Sequence, residues 1–194
     1  MGASWETECT PRAGETQVSE GQCGCKYRCV RTLWLYLPCV NKGHRWGIAI
    51  GDVSGKGIGA ALLMASLQAS LRAQALHPHL DLSTLIADVN RLVYESSPAH
   101  LFASLFYAEY EPSKRILKCV NAGHNPPIVL RWRNGSCKIY RLKAGGIPVG
   151  IDANPKFSCR TFRLEIGDVL LAYTDGITEA ENRGGTKGGG SLSG

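Results

Sequence analysis

The chain has 194 residues, of which 44% are hydrophobic and 20% charged; that is enough apolar material for one domain with its own core. The net charge of +6 is mild, and no apolar run approaches the roughly 20 residues that span a bilayer, so neither a nucleic acid nor a membrane is expected as a partner. The N-terminus lacks the basic-then-apolar order of a signal peptide, which points to the cytoplasm.

Residues 1–42 show no sustained periodicity and are expected to be poorly ordered. They hold five of the eight cysteines: Cys9, Cys23, Cys25, Cys29 and Cys39. The spacing C-x-C-x-x-x-C differs from the paired C-x-x-C of most zinc sites. Cys119, Cys137 and Cys159 sit in strand-like stretches and read as reduced core or sheet residues.

From His44 the pattern becomes that of an α+β domain. Arg45 to Val53 is an apolar strand ending at Gly51 and Asp52, and a glycine-rich turn leads into a helix over Ile58 to Leu76. Leu63, Met64, Leu67 and Leu71 share one face of that helix, and its alanines keep it slim enough to pack closely on a sheet. Leu82, Leu85, Ile86, Val89, Leu92 and Val93 follow the i, i+3, i+4, i+7 spacing of a second helix. Asp81 is its N-cap, and Ser96, Ser97 and Pro98 end it.

Strands follow at Leu101 to Tyr110 and Arg115 to Asn121, joined by Glu111-Pro112-Ser113-Lys114. Ile128 to Trp132 and Cys137 to Arg141 flank Asn134-Gly135, the strongest short hairpin signal because both residues tolerate positive φ. Lys156 to Leu164 and Asp168 to Tyr173 are two further strands. Between Ser113 and Lys143 there are eight Lys or Arg and no acidic residue; this is either a basic face for an acidic partner or phosphate, or the solvated face of a sheet. Residues 184–194 form a glycine-rich tail, expected to be disordered.

Two aspartates stand alike in this pattern. Asp52 and Asp175 each close a strand beside glycine, where a carboxylate has room for a hard cation and its waters. Aspartate also favours turns, and spacing alone does not separate the two roles. The stretch Gly51-Asp52-Val53-Ser54-Gly55-Lys56-Gly57-Ile58-Gly59 fails the Walker A pattern, because Gly57 stands where Ser or Thr should coordinate magnesium, and its glycines are too evenly spaced for a dinucleotide fingerprint. His124, in Asn121-Ala122-Gly123-His124-Asn125-Pro126-Pro127, is either a hydrogen-bonding turn residue or a base lacking a visible partner.

Five segments in order, GDVSGKGIGAALLMA, LFASLFYAEYEP, NAGHNPPIVLR, GGIPVGI and DVLLAYTDGITEA, resemble the successive motifs of the SpoIIE/RsbU-type phosphatases. These belong to the PPM class, similar to protein phosphatase 2C, and the likeness runs from Trp46 to Glu181. It implies a four-layer α-β-β-α sandwich of antiparallel sheets flanked by helices, with the domain over residues 43–183. It also implies hydrolysis of phosphoserine or phosphothreonine by a water bound to two Mn²⁺ or Mg²⁺ ions. By that likeness Asp52 and Asp175 are metal ligands, as is the Val53 backbone carbonyl. The implied substrate is a phosphorylated anti-anti-sigma protein of the STAS type, in bacterial regulatory signalling.

The likeness has two gaps. The family's G-D-Y-Y-D-like segment would fall where Cys29 to Lys42 holds no acidic residue, and its late Asp-Asp pair is missing. Both ends are therefore expected to be replaced, as a frameshift or gene fragment would do, and the metal site to be incomplete. Glu109, Glu179 and Glu181 occupy no matching motif position. A weakly active phosphatase is one expectation, and a non-catalytic remnant that still binds a STAS-type partner is the other.

Overall fold

A computed structural model describes residues 32–39, 45–75, 81–98, 100–143 and 145–174 of the chain. Strands β1 (Thr32–Cys39) and β2 (Arg45–Val53) pair antiparallel over their whole length, from Thr32 opposite Asp52 to Cys39 opposite Arg45. Strand β1 lies in the segment expected to be poorly ordered. Eight residues of that segment instead form a strand, because its pairing is made with β2 and leaves no local periodic trace. The remaining residues expected to be disordered, at both termini, lie outside the described ones.

Helices α1 (Ile58–Ala75) and α2 (Leu82–Ser96) follow. Asp81 caps α2 as its position predicts: Oδ1 accepts from the backbone N–H groups of Ser83 at 2.8 Å and Thr84 at 3.1 Å. These satisfy two of the donors that every helix N-terminus leaves unpaired.

Strands β3 (Ala103–Glu111), β4 (Ile116–Ala122), β5 (Ile128–Arg133), β6 (Ser136–Arg141), β7 (Arg160–Arg163) and β8 (Val169–Leu171) complete two sheets. One sheet has the order β1-β2-β3-β4-β7 and the other β6-β5-β8, all neighbours antiparallel. Asn134 and Gly135 turn the β5–β6 hairpin at φ 49° and 75°, the left-handed pair that an Asn-Gly turn adopts.

Strands β7 and β8 are shorter than the sequence suggests. Residues ahead of Arg160 pair with a loop instead of a strand: Ser158 N–H donates to the Gly145 carbonyl at 2.8 Å. In β8, only Val169–Leu171 finds partners on β5.

Side-chain alternation divides the core into two layers. Ala49 and Val53 of β2, with Ala103, Leu105 and Tyr107 of β3, pack against Leu63, Leu67 and Leu71 of α1 and Leu85, Ile86 and Val89 of α2. Ile50, Phe106, Ala108, Leu117 and Cys119 face the other way, meeting Val129, Tyr140 and Phe162 in the layer between the sheets. Strand β2 is thus covered on both faces, which explains why it reads as an apolar run without alternation. Among the described residues helices cover one outer face only. The outward side of the smaller sheet leaves Trp132, Ile139, Val169 and Leu171 about half exposed. Among the described residues the architecture is two facing antiparallel sheets with helices on one outer face, as the expected sandwich requires.

Candidate active site

Asp52 is the next-to-last residue of β2. It stands on the same face as Ile50, so its carboxylate belongs to the layer between the sheets. The chain then leaves the sheet through a turn with Gly55 and Gly57 at φ 83° and 88°, values that cost a residue with a Cβ about 1 kcal/mol or more. Ser54 ties this turn to the start of β3: its N–H donates to the Phe102 carbonyl at 2.8 Å, and its Oγ accepts from the Phe102 N–H at 2.9 Å. Val53 sits at the last position of the ladder, opposite Ala103, with its side chain buried under the helices.

Both strands beside Asp52 present neutral residues in register, Thr32 on β1 and Ser104 on β3. Gly51 admits this tight pairing, since a Cβ there would meet the Ser104 carbonyl oxygen at 2.8 Å.

Ser104 connects Asp52's neighbourhood to the Asn121–Pro127 turn. Its Oγ lies 2.9 Å from His124 Nδ1. The His124 N–H donates to Asn121 Oδ1 at 2.8 Å, and Asn121 Nδ2 donates to the Leu142 carbonyl at 3.2 Å. Asn121 and His124 are both buried. The turn depends on Gly123 at φ 71°, where a Cβ would also collide with Pro148 at 2.5 Å. A polar cluster of Asp52, Ser104, His124 and Asn121 therefore occupies one end of the layer between the sheets.

The sequence suggested His124 as a turn residue or an unpartnered base. The structure makes it a turn residue and adds Ser104 as its partner. That partner lies 20 residues away on another strand, and the only trace in the sequence is that Ser104 interrupts an apolar strand.

Glu109 is not part of this cluster. It stands opposite Gly47, five positions along β3 from Ser104, or about 17 Å at the usual rise, and pairs with Arg45 at 3.5 Å. Burial raises its pKa above the ordinary value, with Arg45 opposing. Asp175, Glu179 and Glu181 lie outside the described residues. Among the described residues no three His, Cys, Asp or Glu side chains gather as metal ligands do. A carboxylate and a backbone carbonyl on adjacent residues at an open strand end are nonetheless hard oxygen donors of the kind Mg²⁺ and Mn²⁺ accept.

The family profile for Stage II sporulation protein E (SpoIIE) matches residues 42–190. The chain is 33% identical over 153 residues to phosphoserine phosphatase RsbU of Bacillus subtilis (strain 168), covering 77% of this chain and 44% of that protein. It is 30% identical over 139 residues to phosphoserine phosphatase RsbP of the same organism, covering 70% of this chain and 34% of that one. The chain thus spans less than half the length of these curated relatives.

Among solved structures, the RsbU and RsbW domains of Rv1364c from Mycobacterium tuberculosis superpose with a TM-score of 0.65 at 25% identity, covering 78% of this chain and 41% of that one. The PP2C phosphatase domain of SpoIIE from Bacillus subtilis, solved with a fragment of its regulatory domain, gives a TM-score of 0.62 at 18% identity, covering 78% and 43%. The second likeness bears on fold alone. With the profile spanning most of the chain and the sandwich shared with these structures, the chain belongs to the SpoIIE family of PPM-type (PP2C-like) protein serine/threonine phosphatases.

Proposed function

We propose that this chain is a metal-dependent phosphatase acting on phosphoserine or phosphothreonine of a protein, in bacterial regulatory signalling. The substrate we favour is a phosphorylated anti-anti-sigma protein of the STAS type, and the compartment the cytoplasm. The carrying observation is Asp52: an acidic residue at the end of a strand that is apolar from Trp46 to Gly51, facing the layer between two sheets and opening onto a glycine turn. Family membership supplies the reaction class.

Asp52 and the Val53 carbonyl, with Asp175, would hold Mn²⁺ or Mg²⁺. Such an ion, when bound, makes water a usable nucleophile and offsets phosphoryl charge. The chain's own contribution is positional. The Ser54 hydrogen bonds fix the turn by which the chain leaves the sheet just after Asp52. Gly51 lets β2 approach Ser104 closely, and the Ser104–His124 pair completes the polar cluster on the β3 side.

Thr32 and Ser104, opposite Asp52, bring no second carboxylate. Two neighbouring divalent ions repel and need several anionic ligands, so metal affinity and activity are expected to be weak. The same observation favours a second reading, a domain that binds its STAS-type partner without hydrolysing it.

Hydrolysis of a small aryl phosphate with millimolar Mn²⁺ tests the proposal. Slow turnover is expected, lost in Asp52→Ala. Calorimetry should show weak Mn²⁺ binding that the same substitution abolishes. Mn²⁺ binding without turnover supports the binding-only reading, and turnover that survives Asp52→Ala refutes both the site and its role.

A further inference from the structure

The basic residues at the end of the sandwich opposite Asp52, most of them from the basic stretch of the sequence and Arg163 from β7, fall into two unlike sets. Arg131 projects from β5 into the layer between the sheets and is fully committed. Its guanidinium meets Asp168 at 2.6 Å and Glu165 at 2.8 Å, donates to the Arg163 carbonyl at 3.0 Å, and lies over the rings of Tyr140 and Phe162. Arg133 pairs with the same Glu165, and Lys114 with Glu111 at 2.8 Å.

Arg115 and Arg163 differ. Both are exposed, and among the described residues neither has a carboxylate within ion-pair distance. They stand side by side, Arg115 next to Ile116 and Ile116 opposite Arg163 in the β4–β7 ladder. Together they line a groove of about 650 Å³, with Arg131, Arg133, Glu165 and Ile166 among its other lining residues, and Ile166 is 89% exposed.

Arg115 also holds an unusual backbone conformation. Its φ is 55°, in the turn closed by the Arg115 N–H on the Pro112 carbonyl at 3.1 Å. This left-handed position suits glycine, and a residue with a Cβ there is strained. Strain of this kind persists where the side chain is put to use.

We propose that the Arg115–Arg163 groove is a docking site for an acidic, carboxylate-rich segment of a partner protein. Charge complementarity identifies the occupant: the groove's acidic residues are already consumed by Arg131 and Arg133, so two forked guanidiniums are left for carboxylates, which they match geometrically. Ile166 adds the exposed apolar contact typical of a protein interface beside arginine. Two unpaired cations are too few for a nucleic-acid backbone, whose binding draws on a longer row of phosphate contacts. The groove is remote from Asp52: Ser104 to Glu111 is seven positions along β3, about 24 Å. It would therefore hold a partner without touching the reacting end.

The readout is binding and does not rest on catalysis. The full chain is titrated into a fluorescein-labelled peptide of ten glutamates at low salt and followed by anisotropy. Saturable binding is expected, weakened about tenfold by Arg115→Gly and by Arg163→Gln, and unchanged in Arg91→Gln, which removes an equal charge from α2. Arg115→Gly should keep or raise the melting temperature, since glycine relieves the left-handed strain. If that variant unfolds, Arg163→Gln decides alone. Absence of saturable binding, equal weakening by Arg91→Gln, or tighter binding of a ten-nucleotide single-stranded DNA would overturn the proposal.

Discussion

Cys119 and Asp168 show how far a side chain's chemistry follows from where its neighbours put it. Cys119 is buried between the sheets, and burial first, then the nearby Cys159, push its thiol up to about 11. Since the thiolate is the reactive form, Cys119 is expected to resist alkylation at neutral pH in the folded chain, while exposed Cys137 is labelled. Mass spectrometry of the iodoacetamide-treated protein checks this. Asp168 is the opposite case: the Arg131 hydrogen bond holds its carboxyl below the ordinary value of 3.8, against the cost of burial. A depressed folded-state pKa stabilises the fold above the unfolded pKa, and that contribution fades as pH falls through the folded value. Stability should therefore drop as the medium is acidified below about 3.8, and Asp168→Asn should lower neutral-pH stability and flatten that acid limb. Acid titration followed by circular dichroism measures both. Neither environment is visible in the sequence, because Cys119's neighbour and Asp168's arginine arrive from distant segments of the chain.

Elements were legible in proportion to how local their cause is. Helix α2 carries its apolar stripe and its cap within one stretch of chain, and structure and sequence agree on its start at Leu82. Replacing Asp81 with Ala should cost about 1 kcal/mol, seen as a lower midpoint in urea with an unchanged slope, because the two backbone donors it satisfies become unpaired. The Asn134-Gly135 hairpin was equally readable, since its turn chemistry is local. Strand β1 was not: its composition marks no periodicity, and only β2 gives it a place. The candidate site divides the same way. Asp52's place at a strand end beside glycines could be read from the chain, its role as a ligand only from the family resemblance, whereas the Ser104–His124 contact depends on strand β3 meeting a distant turn.

At the scale of the whole molecule, the layer between the sheets joins everything described. Phe106 is fully buried near its middle, flanked in the ladders by Ile50 and Asn121. Phe106→Ala should cost about 4 kcal/mol through lost burial and the cavity left behind, a large share of the 5–15 kcal/mol typical of a domain. A thermal melt should show the midpoint falling sharply. Arg131 gives the same layer a direction. Its salt links bind β5 to the β7–β8 turn, and its guanidinium roofs Tyr140 and Phe162, so the sheets are riveted together at that end. Removing that guanidinium would strand the carboxylate of Asp168, whose side chain is almost wholly covered, inside the fold without its cation.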